Sequence, residues 1–270
     1  MKIRRISLIC FAIIIILVTG CITAMAIDVT TKKQQAENIF NELKTDGYSN
    51  IEKIWIEDNS MCSTVLSAKN DSLCANDIRN IRAIRNKARA LALDNNGELS
   101  GITSVNHIIK NSNDEILYDV TIDDFYTIPE EFTDSINLNT RAVTFSEKET
   151  IIALASAFGE NSLPLRVVEI SESSLGGYFL DIVVDNESGQ EIDINSINGY
   201  VQQVLTIIDN LNVNGHKITE YNISVFSQDT NAEPIYFMSA DVIFRDFLWW
   251  QSPSLGNETW TGSTPKLTDE

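Results

Sequence analysis

Apolar positions recur every three or four residues in some stretches of this chain and every second residue in others, and the two spacings alternate. The first marks an amphipathic helix and the second a half-buried strand. QAENIFNELK places Ala36, Ile39, Phe40 and Leu43 on one helical face, and after the turn DGYSN the stretch IEKIWIED alternates as a strand. A second helix opens near Asn76-Asp77 and carries Ile78, Ile81, Ile84, Ala88 and Leu91 at helical spacing. ITSVNHIIK and EILYDVTID follow as strands joined through the turn chemistry of NSND. Further along, Ser146 and Glu149 form a capping-box signature ahead of TIIALASAFG, and LPLRVVEIS and GYFLDIVVD read as two strands meeting at Gly176 and Gly177. A fourth helix opens at about Asp193 and buries Val201, Val204, Leu205 and Ile208, with HKITEYNISVFSQ and PIYFMSADVIF as its strands.

A helix followed by a hairpin, repeated, predicts an α+β fold: antiparallel sheets with helices packed on one face. The spacing divides the chain into a first α+β region over 31–126, a linker over 127–145 marked by Pro129 and no clear period, and a second region over 146–248. Residues 249–270 read as a flexible tail rich in Ser, Thr, Pro and Gly. Trp249 and Trp250 are expected to fold back over the end of the sheet; the alternative is a recognition surface for sugar or protein.

The N-terminus carries Lys2, Arg4 and Arg5 ahead of an uncharged segment from Ile6 to Ile27. Cations before an apolar run direct the chain beyond it across a membrane. Three fates follow. Uncut, residues 6–27 are long enough to stay as a membrane anchor; cut after the small residues Ala24 and Ala26, the chain is released near Ile27. The third fate uses Val18-Thr19-Gly20-Cys21, which resembles the lipobox of prokaryotic lipoprotein precursors. That resemblance implies removal of residues 1–20 and a lipid on Cys21, and it covers the leader only.

Removing residues 1–20 takes away three positive charges and no negative ones, so a formal charge of −18 becomes −21. Such a sign repels nucleic acid, and no nucleic-acid partner is expected. Hydrophobic residues make up 43% of the chain, enough to bury a sizeable core. Cys62 and Cys74 are the two cysteines beyond the leader, and in an oxidising compartment they are expected to form a disulfide across the loop STVLSAKNDSL.

Motifs for chemistry are sparse. No GxSxG, HExxH, Walker or GxGxxG pattern occurs, and His107 in a strand and His216 in the turn NGHK have no recognisable catalytic partner. The carboxylates Asp123-Asp124, Glu130-Glu131 and the set Asp185, Glu187, Glu191 and Asp193 lack EF-hand spacing, so neither metal nor cofactor is expected. Arg79, Arg82, Arg85, Lys87 and Arg89 crowd the second helix, and because the isoleucines hold its apolar stripe these cations are placed mostly on its outer faces, paired with acidic groups of the same chain. Asn70, Asn186, Asn222 and Asn257 stand in glycosylation sequons. The expectation is a membrane-tethered extracytoplasmic protein, a non-enzymatic binding or envelope-organising module. Its partners would be the membrane, through an N-terminal anchor or lipid, and a protein or glycan. An envelope hydrolase using carboxylates and a small-ligand sensor or receptor are the alternatives.

Overall fold

Each half of the chain is built from two β-hairpins joined by a helix. A computed structural model describes residues 30–94, 102–123, 125, 144–184, 193–226, 233–255 and 259–262. The first half runs through α1 (residues 30–45), β1 (Ile51–Glu57), β2 (Ser60–Leu66), α2 (Ala75–Asp94), β3 (Ser104–Lys110) and β4 (Ile116–Ile122). The second repeats that order as α3 (Glu147–Glu160), β5 (Leu165–Glu172), β6 (Tyr178–Val184), α4 (Ile194–Val213), β7 (Ile218–Val225) and β8 (Tyr236–Asp241), and then adds β9 (Asp246–Gln251) and β10 (Thr259–Gly262).

The fold is α+β, with two mixed sheets instead of antiparallel ones. One has the order β1-β2-β3-β4 and the other β10-β9-β8-β7-β6-β5. Hairpins supply the antiparallel pairs, but α2 and α4 each carry the chain back to the end where the previous hairpin turned. The two hairpins of each half therefore meet along a parallel seam, β2 with β3 and β6 with β7.

Local chemistry accounts for the element boundaries. Ser146 Oγ accepts from the Glu149 N–H at 3.3 Å while the Glu149 carboxylate accepts from the Ser146 N–H at 2.8 Å, closing the capping box on α3. Asp193 caps α4 by accepting from Ser196 N at 2.7 Å. Gly176 and Gly177 turn β5 into β6 at φ +79° and +84°. A side chain at Gly177 would also place its Cβ 2.5 Å from the Lys217 carbonyl.

The helices do not stay on one face. The six-stranded sheet packs against α3 and α4 on one side and against α2 on the other, and α2 also touches β2 of the four-stranded sheet. Strand β9 records this arrangement: Phe247 and Trp249 enter the core under α4, while Leu248 and Trp250 enter the core shared with α2 and the four-stranded sheet. Residues 249–251 are thus strand, not tail, and both tryptophans are interior, with Trp249 stacked on Tyr236 at 5.9 Å between centroids. A strand covered on both faces has no polar alternation to announce it.

Cys62 and Cys74 are free and buried, so the expected disulfide is not formed. The STVL stretch between them is part of β2, not loop. There Met61, Ser63 and Val65 face α2, and the two-residue period sends Cys62 to the opposite face, away from Cys74 at the start of that helix. Burial pushes the Cys74 thiol up to about 11.

Candidate binding groove

Because α2 lies between two sheets, it has two buried faces. Ile78, Ile81, Ile84 and Ala88 join the apolar core, and Arg82, Arg85 and Arg89 are buried as well. Their placement on the outer faces of the helix is therefore corrected: these three point at the six-stranded sheet. Asp246 accepts from Arg82 Nη1 at 3.0 Å, Arg85 Nη1 at 3.0 Å and Arg89 Nη1 at 2.7 Å. Arg89 also reaches Asp241 at 3.0 Å, and its guanidinium lies over the rings of Phe125 and Phe244. Arg82 Nη2 donates to the Ser239 and Asp246 carbonyls at 2.8 and 2.7 Å. Burial would raise the Asp246 carboxyl, but Arg85, Arg82 and Arg89 outweigh it and hold the group well below the usual carboxylate range.

Both histidines are held in fixed hydrogen bonds. Arg85 Nε donates to His107 Nε2 at 3.1 Å, and since a guanidinium only donates, the ring proton sits on Nδ1 and is given to Ser63 Oγ at 2.8 Å. His107 is thus a donor towards Ser63, the reverse of a general base activating a serine, and burial together with Arg85 keeps its pKa well below the ordinary value. His216 stacks on Phe145 at 4.1 Å and bonds Thr150 through Nδ1 at 2.9 Å. Of the carboxylates singled out by sequence, Asp123 is exposed and Asp193 is the α4 cap; Asp124, Glu130, Glu131, Asp185, Glu187 and Glu191 lie outside the described residues.

The arginine network covers one end of a polar sheet face whose other end is open. Strand pairing sets Glu169, Asp181, Asn222 and Ser239 in one row across β5 to β8, and Ser171, Phe179, Glu220, Asp241 and Asp246 in a second row across β5 to β9. Over β8 and β9 the rows are closed by α2. Over β5 to β7, Glu169, Ser171, Phe179, Glu220 and Asn222 of these rows form the floor of a groove of about 560 Å³, walled by Leu43 of α1, by Tyr48 beyond it and by Arg79, Ala83, Asn86 and Lys87 of α2. Glu220 lies at its base, hydrogen-bonded by Asn86 Nδ2 and Ser173 Oγ. Burial pushes its carboxyl up to about 7, aided by Asp241 and opposed by Ser173 and Arg82. On the rim, Lys87 pairs with Glu42 and Asp46. Arg79 lies 4.5 Å over the Phe237 ring with no hydrogen-bonded acceptor among the described residues. Asn86 is 8% exposed and its Oδ1 accepts no hydrogen bond; the buried Asn222 Oδ1 likewise accepts none.

Of the residues named from sequence, Arg79, Arg82, Lys87 and Asn222 line this groove. Cys21, Asn186 and Asn257 lie outside the described residues, and Asn70 is exposed. Asn222, expected as a glycosylation acceptor, lies within β7 between β6 and β8 on the groove floor. Among the described residues no group of His, Cys, Asp and Glu is arranged to hold a metal ion. Glu220 and Asn86 were not identified from sequence. Their signal was the polar set Glu220, Asn222 and Ser224 alternating with Tyr221, Ile223 and Val225 in β7.

No protein-family model and no curated protein matches the chain. Among solved structures, the C-terminal domain of the sex pheromone staph-cAM373 precursor from Staphylococcus aureus is similar at 11% identity, over 84% of this chain and 73% of that one. Its TM-score of 0.21 leaves fold and function to be read from this chain itself.

Proposed function

We propose that this chain is a membrane-tethered extracytoplasmic binding module without enzymatic activity, and that it receives its ligand in the groove between α2 and strands β5 to β7. The buried, unpartnered Asn86 Oδ1 carries the reading. An acceptor withdrawn from solvent without a partner costs about 1–3 kcal/mol, a cost that a ligand donor would relieve. The N-terminal cations, the apolar run and the lipobox-like Val18-Thr19-Gly20-Cys21 support export and attachment, with Cys21 as the lipid-bearing residue. The fixed bonds of His107 and His216 favour binding over hydrolysis.

Thermal unfolding of the full chain in detergent micelles tests the groove with a short peptide, a neutral oligosaccharide and a polyamine. One of these classes is expected to raise Tm by about 3–5 °C at ten times its dissociation constant. The shift should vanish in Asn222→Trp, or in Ser171→Trp nearer the sheet edge, each of which fills the floor. A shift that survives in both folded variants, or no shift from any class, would overturn the assignment.

A further inference from the structure

We infer that the ligand is a zwitterion of the amino acid or short-peptide class, bound with its ammonium group on the groove floor and its carboxylate on Arg79. This rests on the groove reading above and goes further in naming the chemistry. The groove offers acceptors: Asn86 Oδ1 and Asn222 Oδ1, both of residues that line it, receive no hydrogen bond. Asn86 directs its Nδ2 at Glu220, which leaves Oδ1 on the other side of the amide. An ammonium group brings three donors and no acceptor, the complement of these oxygens.

The wall supplies the opposite need. Arg79 is half-buried one turn before Arg82, its guanidinium over Phe237, with no hydrogen-bonded acceptor among the described residues. Arg82 differs in that its guanidinium is spent on Ser239 and Asp246. A guanidinium fork of this kind matches a carboxylate. A polyamine would place positive charge against Arg79 and Lys87, and a neutral sugar would offer the Arg79 fork no carboxylate to accept from it. A group carrying both charges satisfies both sides, and about 560 Å³ accommodates a few residues of peptide.

Titration calorimetry on the full chain in detergent micelles tests this with triglycine, N-acetyl-triglycine, triglycine amide, a neutral tetrasaccharide and spermidine. Triglycine should bind, and blocking either end should weaken binding by about tenfold or more, as loss of a charged hydrogen bond does. Arg79→Gln should weaken triglycine by a similar factor and leave triglycine amide unchanged, because the lost partner is already absent. Arg79→Lys, which keeps the charge without the fork, should fall between. Equal affinity for triglycine and its two blocked forms would overturn the inference. Binding of the tetrasaccharide or spermidine alone, abolished by Asn222→Trp, would overturn the ligand class and leave the groove standing. Binding by none of the five would remove both.

Discussion

Asp246→Ala is expected to destabilise the folded chain by about 3–5 kcal/mol, the cost of stripping the partner from a buried ion pair. Three guanidinium groups converge on this carboxylate, and of the three Arg89 also reaches Asp241. The loss propagates to both sheets because Arg85 also holds His107, and through it Ser63, in the four-stranded sheet. A domain of ordinary stability has about 5–15 kcal/mol in hand, so the variant gives up between about a fifth and all of it. Urea denaturation at pH 7 measures the difference, and Asp246→Asn, which keeps the shape and some of the acceptors, should lose less. A cost below about 1 kcal/mol for the alanine variant would show that the arginines are stable without the anion.

Glu220→Gln is expected to stabilise the chain at pH 8 and to leave it unchanged near pH 4.5. Burial raises the Glu220 carboxyl to about 7 in the folded state. The folded chain therefore keeps a proton that the unfolded chain releases from about 4.5 upward, and stability is lost as pH climbs through that interval. The full difference is about 3 kcal/mol above pH 7, at 1.36 kcal/mol for each pH unit. His107 acts in the opposite sense. Its pKa is held well below the ordinary value by burial and by Arg85, so the unfolded chain gains a proton as pH falls below about 6.5 and the fold weakens in acid. Urea midpoints of wild type and Glu220→Gln from pH 4.5 to 8 separate the two, because only the alkaline-side loss should disappear in the variant. Parallel curves would mean that folding leaves the proton affinity of Glu220 unchanged.

The helices and most hairpins were legible because one face of each was apolar at a regular period. Strand β2 was hidden by Ser63, a polar residue turned inward to meet His107, and β9 by being apolar on both faces. The burial of Arg82, Arg85 and Arg89 was illegible for a related reason. A helix normally has one wet face, and nothing local to α2 reveals that a second sheet covers it. Its partners Asp241 and Asp246 lie more than 150 residues away in sequence. The groove draws on residues near 43–48, 79–87, 169–179, 220–222 and 239, so no single motif encodes it. Only the polar alternation of β7 hinted that one face of its sheet was made for something other than a core.

Carboxyl labelling of intact cells with a carbodiimide and a charged amine, compared with labelling of the purified, ligand-free chain, tests the binding role most directly. Glu147 and Glu160 on α3 are exposed and remote from the groove, and Glu169 and Glu172 are exposed at its rim. An exported, ligand-occupied module predicts equal labelling of the α3 pair in both samples and several-fold protection of the rim pair in cells. Identical labelling of all four residues in both samples, or none in intact cells, would contradict it.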